Sequence, residues 1–379
     1  MKIVIAPQGF KGNLSAQRVA EAIARGIKRV LIDAEMDIVP MADGGEGTLE
    51  ALVHNTRGRI MTAEVAGPLG ETVEARWGIL GDGVSAVVEM AAASGITLVP
   101  CERLNPLITT TYGTGQLIRA ALDAQCHKII VGIGGSATND GGAGMVQALG
   151  VRLLDKEGVE LSVGGAALSE LGRIDISGLD KRLANCQIVV ACDVKNPLCG
   201  KDGASRIYGP QKGATKEMCY QLDDALSNYA RVIKRDLGID VYNIPGAGAA
   251  GGMGAGMVAF LGAELKQGIE IVSDKVGLSE HLKGAALVFT GEGRIDGQTF
   301  FGKTVAGVAA KARVLGIPVV AIVGEIAGDV RTIYEYGVDV VMSIAPGPIN
   351  LRECMNGAEL YIEDTSERAI RLILLKLEN

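Results

Sequence analysis

The chain has 379 residues, of which 48% are hydrophobic and 21% are charged, the proportions of an ordinary globular protein. Its length favours two domains, because a single core rarely grows beyond about 250–300 residues. A formal net charge of −7 and only 4% aromatic residues argue against a nucleic-acid or anionic-membrane partner, since such partners favour basic patches and exposed rings.

The cysteines and the apolar stretches indicate a cellular compartment. None of the seven cysteines forms a C-x-x-C pair, which favours reduced thiols over disulfides or a zinc site. The opening MKIVIAP predicts a strand and not a signal peptide. The stretch 244–261 is too rich in glycine to span a bilayer. The sequence predicts a cytoplasmic protein.

Both ends of the chain alternate strands with helices, the pattern of a parallel, doubly wound sheet. The predicted elements there are a strand at 3–6, a helix at 16–31, a strand at 36–40, a helix toward Val53, a strand at 286–290, a helix at 303–315, a strand at 318–323, a helix at 330–336, a strand at 338–344 and a helix at 365–377. We predict a discontinuous Rossmann-like domain, residues 1–62 and 285–379.

The middle of the chain has a different pattern. Three strands at 59–66, 71–79 and 85–90 follow one another without a helix, which predicts an antiparallel meander. Apolar residues recur at helical spacing over 216–237. We therefore predict an inserted second α/β domain that contains antiparallel strands, residues 63–284. The glycine-rich stretch 245–262 fits either a close-packed helix or a turn that faces a ligand.

The stretch 128–145, KIIVGIGGSATNDGGAGM, combines a short apolar strand, a glycine turn, small polar residues and the start of a helix. Such a turn can bind an anion through backbone N–H groups and the helix dipole. No Gly-Lys-Ser/Thr sequence closes it, so it is not a Walker loop. The alternative is a tight connection from strand to helix with an N-cap.

Charged residues follow several predicted strands. They are Lys11, Asp43, Glu46, Asp193, Glu292, Arg294 and Asp296. Ligands of open α/β sheets bind at the carboxyl ends of strands, and phosphoryl transfer needs carboxylates for Mg²⁺ together with cationic clamps. The histidines lie outside these clusters, which disfavours a Ser-His-Asp hydrolase or a histidine metal site. The pattern predicts an enzyme that acts on a phosphorylated nucleotide.

A set of motifs then resembles the bacterial type I glycerate kinases, in order from residue 1 to at least 325. They are IAPQGFKGNLSA (5–16), PMADGGEGT (40–48), GPLGE (67–71), VEMAAASG (88–95), TTTYGTGQLI (109–118), GIGGSATNDGGAGMVQALG (132–150), ACDVKNPLCG (191–200), YGPQKGAT (208–215), PGAGAAGGMGAG (245–256) and TGEGRIDGQT (290–299). The resemblance implies ATP-dependent, Mg²⁺-requiring phosphorylation of D-glycerate, usually to 2-phosphoglycerate. It also implies an active site in the cleft between two α/β domains.

Role assignments within this resemblance are hypotheses. For catalysis we select Asp193, the first choice of base, with Lys11 and Asp296. For binding of phosphates we select two turns, Gly113, Thr114 and Gly115, and Gly134, Gly135, Ser136, Thr138 and Asn139. For the substrate we select Lys212, Arg294, Asp43 and Glu46, and for Mg²⁺ Glu292 and Asp296.

One loop departs from the family pattern. The family usually has Asp-Ser after Ala-Pro, where this chain has Gln8-Gly9, and an amide can accept and donate hydrogen bonds but cannot act as a base. Two alternatives therefore remain beside glycerate kinase: a kinase for another small hydroxy acid or sugar acid, and a catalytically weakened homologue that binds its ligand. The oligomeric state is open, with a homodimer among the options.

Overall fold

A computed structural model describes residues 1–296, 303–329 and 331–375. The chain forms an α/β fold with two compact units. The first unit contains residues 1–43, 50–55 and 267–379, and the second contains 44–49 and 56–266.

The strands of the described residues are numbered in chain order. They are β1 (Lys2–Ile5), β2 (Glu35–Ile38), β3 (Arg59–Ala66), β4 (Thr72–Ile79), β5 (Ser85–Glu89), β6 (Lys128–Gly132), β7 (Arg152–Leu154), β8 (Arg173–Asp175), β9 (Gln187–Ala191), β10 (Glu264–Lys266), β11 (Leu287–Ile295), β12 (Val319–Ile326) and β13 (Val340–Ser343).

The helices are numbered in the same way. They are α1 (Ala16–Lys28), α2 (Thr48–Thr56), α3 (Ala91–Ser94), α4 (Tyr112–Asp123), α5 (Ala143–Ala148), α6 (Ala204–Tyr208), α7 (Lys216–Leu237), α8 (Ala249–Leu261), α9 (Gly268–Lys275), α10 (Leu278–Leu282), α11 (Thr304–Val314), α12 (Leu351–Asn356) and α13 (Ala358–Leu375).

The first unit is built on a parallel five-stranded sheet in the order β13-β12-β11-β1-β2. Its central strands are continuous apolar runs, as expected where both faces of a parallel sheet are covered. Ser15 caps α1 by accepting a hydrogen bond from the Arg18 backbone at 3.3 Å, and α1 packs against α13. Because all five strands run in the same direction, their carboxyl ends lie along one edge of the sheet.

The second unit has a mixed six-stranded sheet in the order β10-β9-β6-β5-β4-β3. The strands β10, β9, β6 and β5 are parallel, whereas β4 and β3 form the antiparallel meander that the sequence predicts. A two-stranded antiparallel sheet of β7 and β8 adds to this unit. The fold class expected from the sequence is confirmed.

The limits of the units differ from the predicted ones. Strand β3 begins at Arg59 and pairs along its length with β4, so the chain enters the second unit before residue 62. Helices α9 and α10 belong to the first unit, so the chain returns there at Gln267 and not at 285. Apolar periodicity did not reveal this change because both helices are short.

Several elements also differ near the carboxyl end. Strand β11 continues through Ile295, where the sequence predicted a loop from residue 291, because β12 pairs with it over this whole length. The predicted helix at 330–336 is a short 3₁₀ turn, Arg331–Tyr334, with residue 330 outside the described part. The predicted closing helix at 365–377 is α13, which begins earlier and is preceded by α12. Residues 376 and 377 lie outside the described part.

Within the described residues, every helix is either too short or too polar to cross a membrane.

Candidate functional site

Two groups of functional side chains lie at the carboxyl edges of the two parallel sheets. In the second unit, Glu89, Gly132 and Ala191 are paired neighbours at the ends of β5, β6 and β9. The turn at 134–139 begins two residues after the end of β6, and half-buried Asp193 lies two residues after the end of β9. The sequence-predicted Asp193 and the glycine turn therefore lie at the same edge of the same sheet.

Lys212 is buried beside this turn. Its side chain is only 1% exposed, and its Nζ donates hydrogen bonds to Ser136 Oγ and to the Thr138 carbonyl, both at 2.6 Å. Burial lowers the pKa of Lys212 to about 7, although the charge of Asp140 acts in the opposite direction. The ammonium group has a third donor, and an anion placed there would supply the charge partner that favours the protonated form.

Two further polar atoms of the turn point to a ligand. Thr138 Oγ1 and Asn139 Oδ1 are buried and have no hydrogen-bond partner among the described residues, while Asn139 Nδ2 donates to Ser205 Oγ at 2.9 Å. Buried polar atoms are rarely left unpaired in folded proteins, and a missing ligand or water is a common reason. The predicted residues Ser136, Thr138 and Asn139 thus share one site with Lys212.

Asp140 has a role that the sequence analysis did not assign. Its carboxylate is fully buried and accepts hydrogen bonds from Thr111 N and Thr111 Oγ1, each at 2.8 Å, and from Gly142 N and Gly144 N at 3.1 and 3.2 Å. Burial raises the pKa of Asp140, and these four donors lower it in part. Asp140 therefore occupies the N-terminus of α5, which we expected to serve a ligand. The spacing of an acid just before a short helix was the available signal.

The second predicted turn lies elsewhere. Gly113, Thr114 and Gly115 are fully buried in the first turn of α4, and the N–H groups of Thr114 and Gly115 bond to the Thr111 carbonyl. A Cβ on Gly113 would lie 1.9 Å from the Ala66 carbonyl oxygen, and one on Gly115 would lie 2.2 Å from that of Met145. These glycines permit close packing of α4, and the assignment of this turn to phosphate binding stays a prediction.

In the first unit, the strand-end residues line one cavity of about 780 Å³. Five predicted residues lie in its wall: Lys11, Asp43, Glu292, Arg294 and Asp296. They come from the ends of β1, β2 and β11, three adjacent or nearly adjacent strands. Glu292 and Arg294 are positioned by strand pairing and not by a loop, since they face Val323 and Glu325 of β12 in the register.

The charges in this cavity are partly matched. Arg294 lies 3.5 Å from the Asp296 carboxylate and 3.6 Å from that of Glu325, and its side chain is more than half exposed. Exposed pairs of this kind contribute little to stability. Glu46 is not among the lining residues, because it is an exposed residue of the segment 44–49 that belongs to the second unit.

Sequence reasoning missed part of the lining. Lys303 and Asn13 lie in the cavity wall, and Gln8, noted only as a departure from the family pattern, lies there too. Gln8 is only 3% exposed, yet neither Oε1 nor Nε2 has a partner among the described residues. A buried amide without partners in a cavity wall is a candidate ligand contact.

The acids of the cavity do not form a metal cluster by themselves. The described part of the chain contains no group of three or more His, Cys, Asp or Glu side chains arranged to hold an ion. The predicted pair, Glu292 and Asp296, supplies oxygen donors in one cavity. One or two carboxylates are what Mg²⁺ takes when phosphate oxygens and waters complete its shell, so these residues fit an ion that arrives with a nucleotide.

An α/β protein with charged side chains at the carboxyl edges of parallel strands has the architecture of an enzyme for small anionic ligands. Over residues 3–374 the chain matches the profile of the glycerate kinase family. It is 56% identical to the glycerate 2-kinase of Escherichia coli (strain K12) over 94% of both chains. It is 53% identical to the glycerate kinase of Bacillus subtilis (strain 168), covering 97% of this chain and 96% of that one.

A solved structure agrees with these relatives. The crystal structure of a protein of Salmonella typhimurium LT2, proposed to be glycerate kinase 2, superimposes with a TM-score of 0.92 at 51% identity, with both chains fully covered. This chain belongs to the glycerate kinase family.

Proposed function

We propose that this protein is a glycerate kinase that transfers the γ-phosphoryl group of ATP to the 2-hydroxyl of D-glycerate and requires Mg²⁺. Membership of the glycerate kinase family across residues 3–374 supports the reaction class. The observation that carries the site is the buried cation Lys212 beside a turn with unpaired polar atoms.

Lys212 and the turn at 134–139 bind the anionic groups of the reaction, the glycerate carboxylate and the transferred phosphoryl group. The ammonium group is held in place by Ser136 and Thr138, so it does not have to reorganise when charge develops. Its burial keeps water away and strengthens its attraction to an anion. This preorganisation is the physical reason for a lysine inside the fold.

The cavity of the first unit provides the residues for the metal and for a second set of charges. Glu292 and Asp296 would hold Mg²⁺, with Asp43 as a contact for a substrate hydroxyl. Lys11 and Arg294 are the cations that interact with phosphate oxygens. Mg²⁺ bound there would supply positive charge that offsets the negative charge of the phosphate oxygens.

Asp193 is the proposed base. The substrate hydroxyl oxygen attacks the γ-phosphorus, the bond to the leaving ADP breaks, and the hydroxyl proton passes to the Asp193 carboxylate. The position of Asp193 just after β9, at the same edge of the sheet as the turn at 134–139, supports this role. The alternative substrate, another small hydroxy acid, is favoured by one observation only, the neutral Gln8 amide in the cavity wall.

The test is turnover of the purified protein with D-glycerate, ATP and Mg²⁺, with phosphorus NMR to separate 2- from 3-phosphoglycerate. We expect a single product, 2-phosphoglycerate, that requires both ATP and Mg²⁺. Formation of 3-phosphoglycerate would contradict the regiochemistry. Turnover of a different hydroxy acid, with none of glycerate, would contradict the substrate.

Replacing Asp193 by Asn tests the base. The amide cannot accept the proton, so we expect kcat to fall by about 10²–10⁴-fold with unchanged circular dichroism. Asp202→Asn is the matched control, since Asp202 is an exposed acid of the same loop region, and it should retain wild-type turnover. Near-normal kcat in Asp193→Asn would remove Asp193 from the reaction.

A further inference from the structure

The cavity of the first unit is larger and more apolar than glycerate requires. Its volume of about 780 Å³ is in the range of pockets that enclose drug-sized ligands, roughly 300–1,000 Å³. Glycerate is a three-carbon acid that carries an oxygen on every carbon, and it has no surface that gains from an apolar wall. Another ligand must therefore account for the apolar part.

One side of the cavity is apolar. It is formed by the segment that follows β13, by α12 and by the start of α13, through Ile344, Ile349, Leu351, Met355 and Ala358. Ile344 and Ala358 are buried, whereas Leu351 is 75% exposed although it lines the cavity. The apolar surface thus extends from a packed floor to an uncovered side chain at its border.

The rest of the wall carries charges of both signs. Lys11, Arg294 and Lys303 line the same cavity as the carboxylates Asp43, Glu292, Asp296 and Glu325, of which Glu292 and Asp296 are the proposed Mg²⁺ ligands. Asn13 Nδ2 donates a hydrogen bond to the Met355 carbonyl at 3.0 Å, which attaches the loop that carries Lys11 to α12. A ligand in this cavity would meet an apolar surface and lysine or arginine side chains together.

We propose that this cavity is the nucleotide site of the protein, with the purine and ribose on the apolar side and the phosphates toward Lys11, Arg294 and Lys303. The proposal rests on the proposed function, since it takes the nucleotide to be the phosphoryl donor. Of the two substrates, only the nucleotide has both an apolar ring and a polyanionic end. Its location beyond the carboxyl ends of parallel strands is where α/β folds bind nucleotides.

The matched pair Leu351→Asn and Leu360→Asn tests this assignment. Both leucines are exposed residues in the first turn of a helix, at 75% and 54%, but only Leu351 lines the cavity. Both side chains are largely exposed and neither substitution changes charge, so the fold should tolerate both. We expect Leu351→Asn to raise the Kd of a fluorescent, non-hydrolysable ATP analogue with Mg²⁺ and the KM for ATP by about tenfold, and to leave the KM for D-glycerate unchanged.

Leu360→Asn should keep wild-type values for both substrates. A nucleotide Kd that Leu351→Asn leaves unchanged would overturn the assignment, as would a rise in the KM for glycerate alone. Nucleotide binding that depends on Leu351, in a protein that does not phosphorylate glycerate, would support the nucleotide site and reject the proposed substrate. Failure of the wild-type protein to bind the analogue would overturn the nucleotide site directly.

Discussion

Lys212 and Asp140 show how single residues shape the anion site. The N-terminus of α5 could serve a ligand, but its N–H groups at Gly142 and Gly144 already donate to Asp140. The positive charge available to a ligand is therefore the buried ammonium of Lys212 and not the helix dipole. Asp140 also anchors the end of the turn at 134–139, whose Ser136 and Thr138 accept the hydrogen bonds of Lys212. The anchor consists of the hydrogen bonds from the Thr111 N–H and hydroxyl to the Asp140 carboxylate.

The lowered pKa of Lys212 has a defined effect on stability. The folded protein holds this group with a pKa of about 7, whereas the unfolded chain holds it at about 10.4. Between these pKa values the unfolded state binds more protons than the folded state, so the free energy of unfolding rises as pH rises through this window. The destabilising effect of Lys212 is complete below about pH 7 and disappears above the unfolded pKa.

Binding of an anion should reverse the shift and therefore take up a proton. At about pH 8.5 Lys212 is mostly neutral in the ligand-free protein, and bound 2-phosphoglycerate favours the charged form. We expect calorimetric titrations in buffers of different ionisation enthalpy to give an uptake approaching one proton per ligand, and Lys212→Met to remove that uptake. The same apparent heat in every buffer would contradict this role of Lys212.

Gln8 allows a structural role to be separated from a binding role. Its buried amide has no partner among the described residues, and an unsatisfied buried polar group costs about 1–3 kcal/mol. We expect Gln8→Met to raise the free energy of unfolding of the ligand-free protein by about 1 kcal/mol and to lower kcat/KM by about tenfold or more. Urea unfolding and steady-state kinetics measure the two effects.

Gln147→Met is the comparison for Gln8. Gln147 Nε2 donates to the Leu161 carbonyl at 3.0 Å, and its Oε1 is buried without a partner among the described residues. Gln147 does not line the cavity, so Gln147→Met should leave the kinetics unchanged. A Gln8→Met protein that is less stable than wild type and fully active would show that Gln8 only supports the fold.

At the scale of elements, α8 explains the glycine-rich stretch. Ala250, Gly251 and Gly252 have left-handed backbone angles, so a turn precedes the regular part of the helix. The Gly251 carbonyl accepts a hydrogen bond from Gly141 at 3.0 Å. The stretch thus contains a close-packed helix preceded by a turn, and that turn contacts the chain two residues after the turn at 134–139. A role of this stretch in facing a ligand stays a prediction.

Gly251→Ala tests this contact. Gly251 has φ +70°, and a Cβ there would lie 2.0 Å from the Thr138 carbonyl oxygen, the acceptor of a Lys212 hydrogen bond. We expect a loss of about 3 kcal/mol or more in the free energy of unfolding, together with reduced kcat/KM. Gly262→Ala shares the left-handed angle with nothing within 4 Å, so it should cost only about 1–2 kcal/mol. Equal losses would contradict the packing argument.

At the scale of the whole molecule, the chain builds its two units from interleaved segments. The core of the second unit is formed by residues between Val65 and Ala263, a continuous part of the chain. The core of the first unit requires both chain ends, because Ile3 and Ile5 of β1 pair with Leu287 and Phe289 of β11. The second unit can therefore fold from one continuous segment, whereas the first unit needs segments from both ends of the chain.

Two fragments test this difference. We expect residues 56–266 to unfold cooperatively on heating, as followed by circular dichroism, because this segment keeps every residue of the large apolar cluster between Val65 and Ala263. Residues 1–55 should be largely unfolded, because β1 loses its neighbour β11 and only the pair β1 and β2 remains of the sheet. A fragment 56–266 without a cooperative transition would show that its core depends on the remaining segments.

The sequence by itself determined much of this protein. Apolar periodicity predicted α7 at its observed bounds, and the absence of helical spacing between 59 and 90 predicted the meander of β3, β4 and β5. These local patterns suffice because each element buries one face or one run of residues. The motif pattern gave the family, and strand-end positions gave five of the charged residues of the cavity.

Tertiary structure alone decided the remainder, because it depends on contacts between residues distant in sequence. The sequence proposed Lys212 as a substrate residue but could not show that it is buried against Ser136, 76 positions away, which sets its pKa. Gly113 and Gly134 both lie in glycine-rich stretches of the sequence. Only the tertiary structure shows that Gly113 is closely packed against the Ala66 carbonyl, whereas Gly134 is not packed so closely. Leu351 was not predicted from the sequence as a site residue, because only the folded structure shows that it lines the same cavity as Lys11.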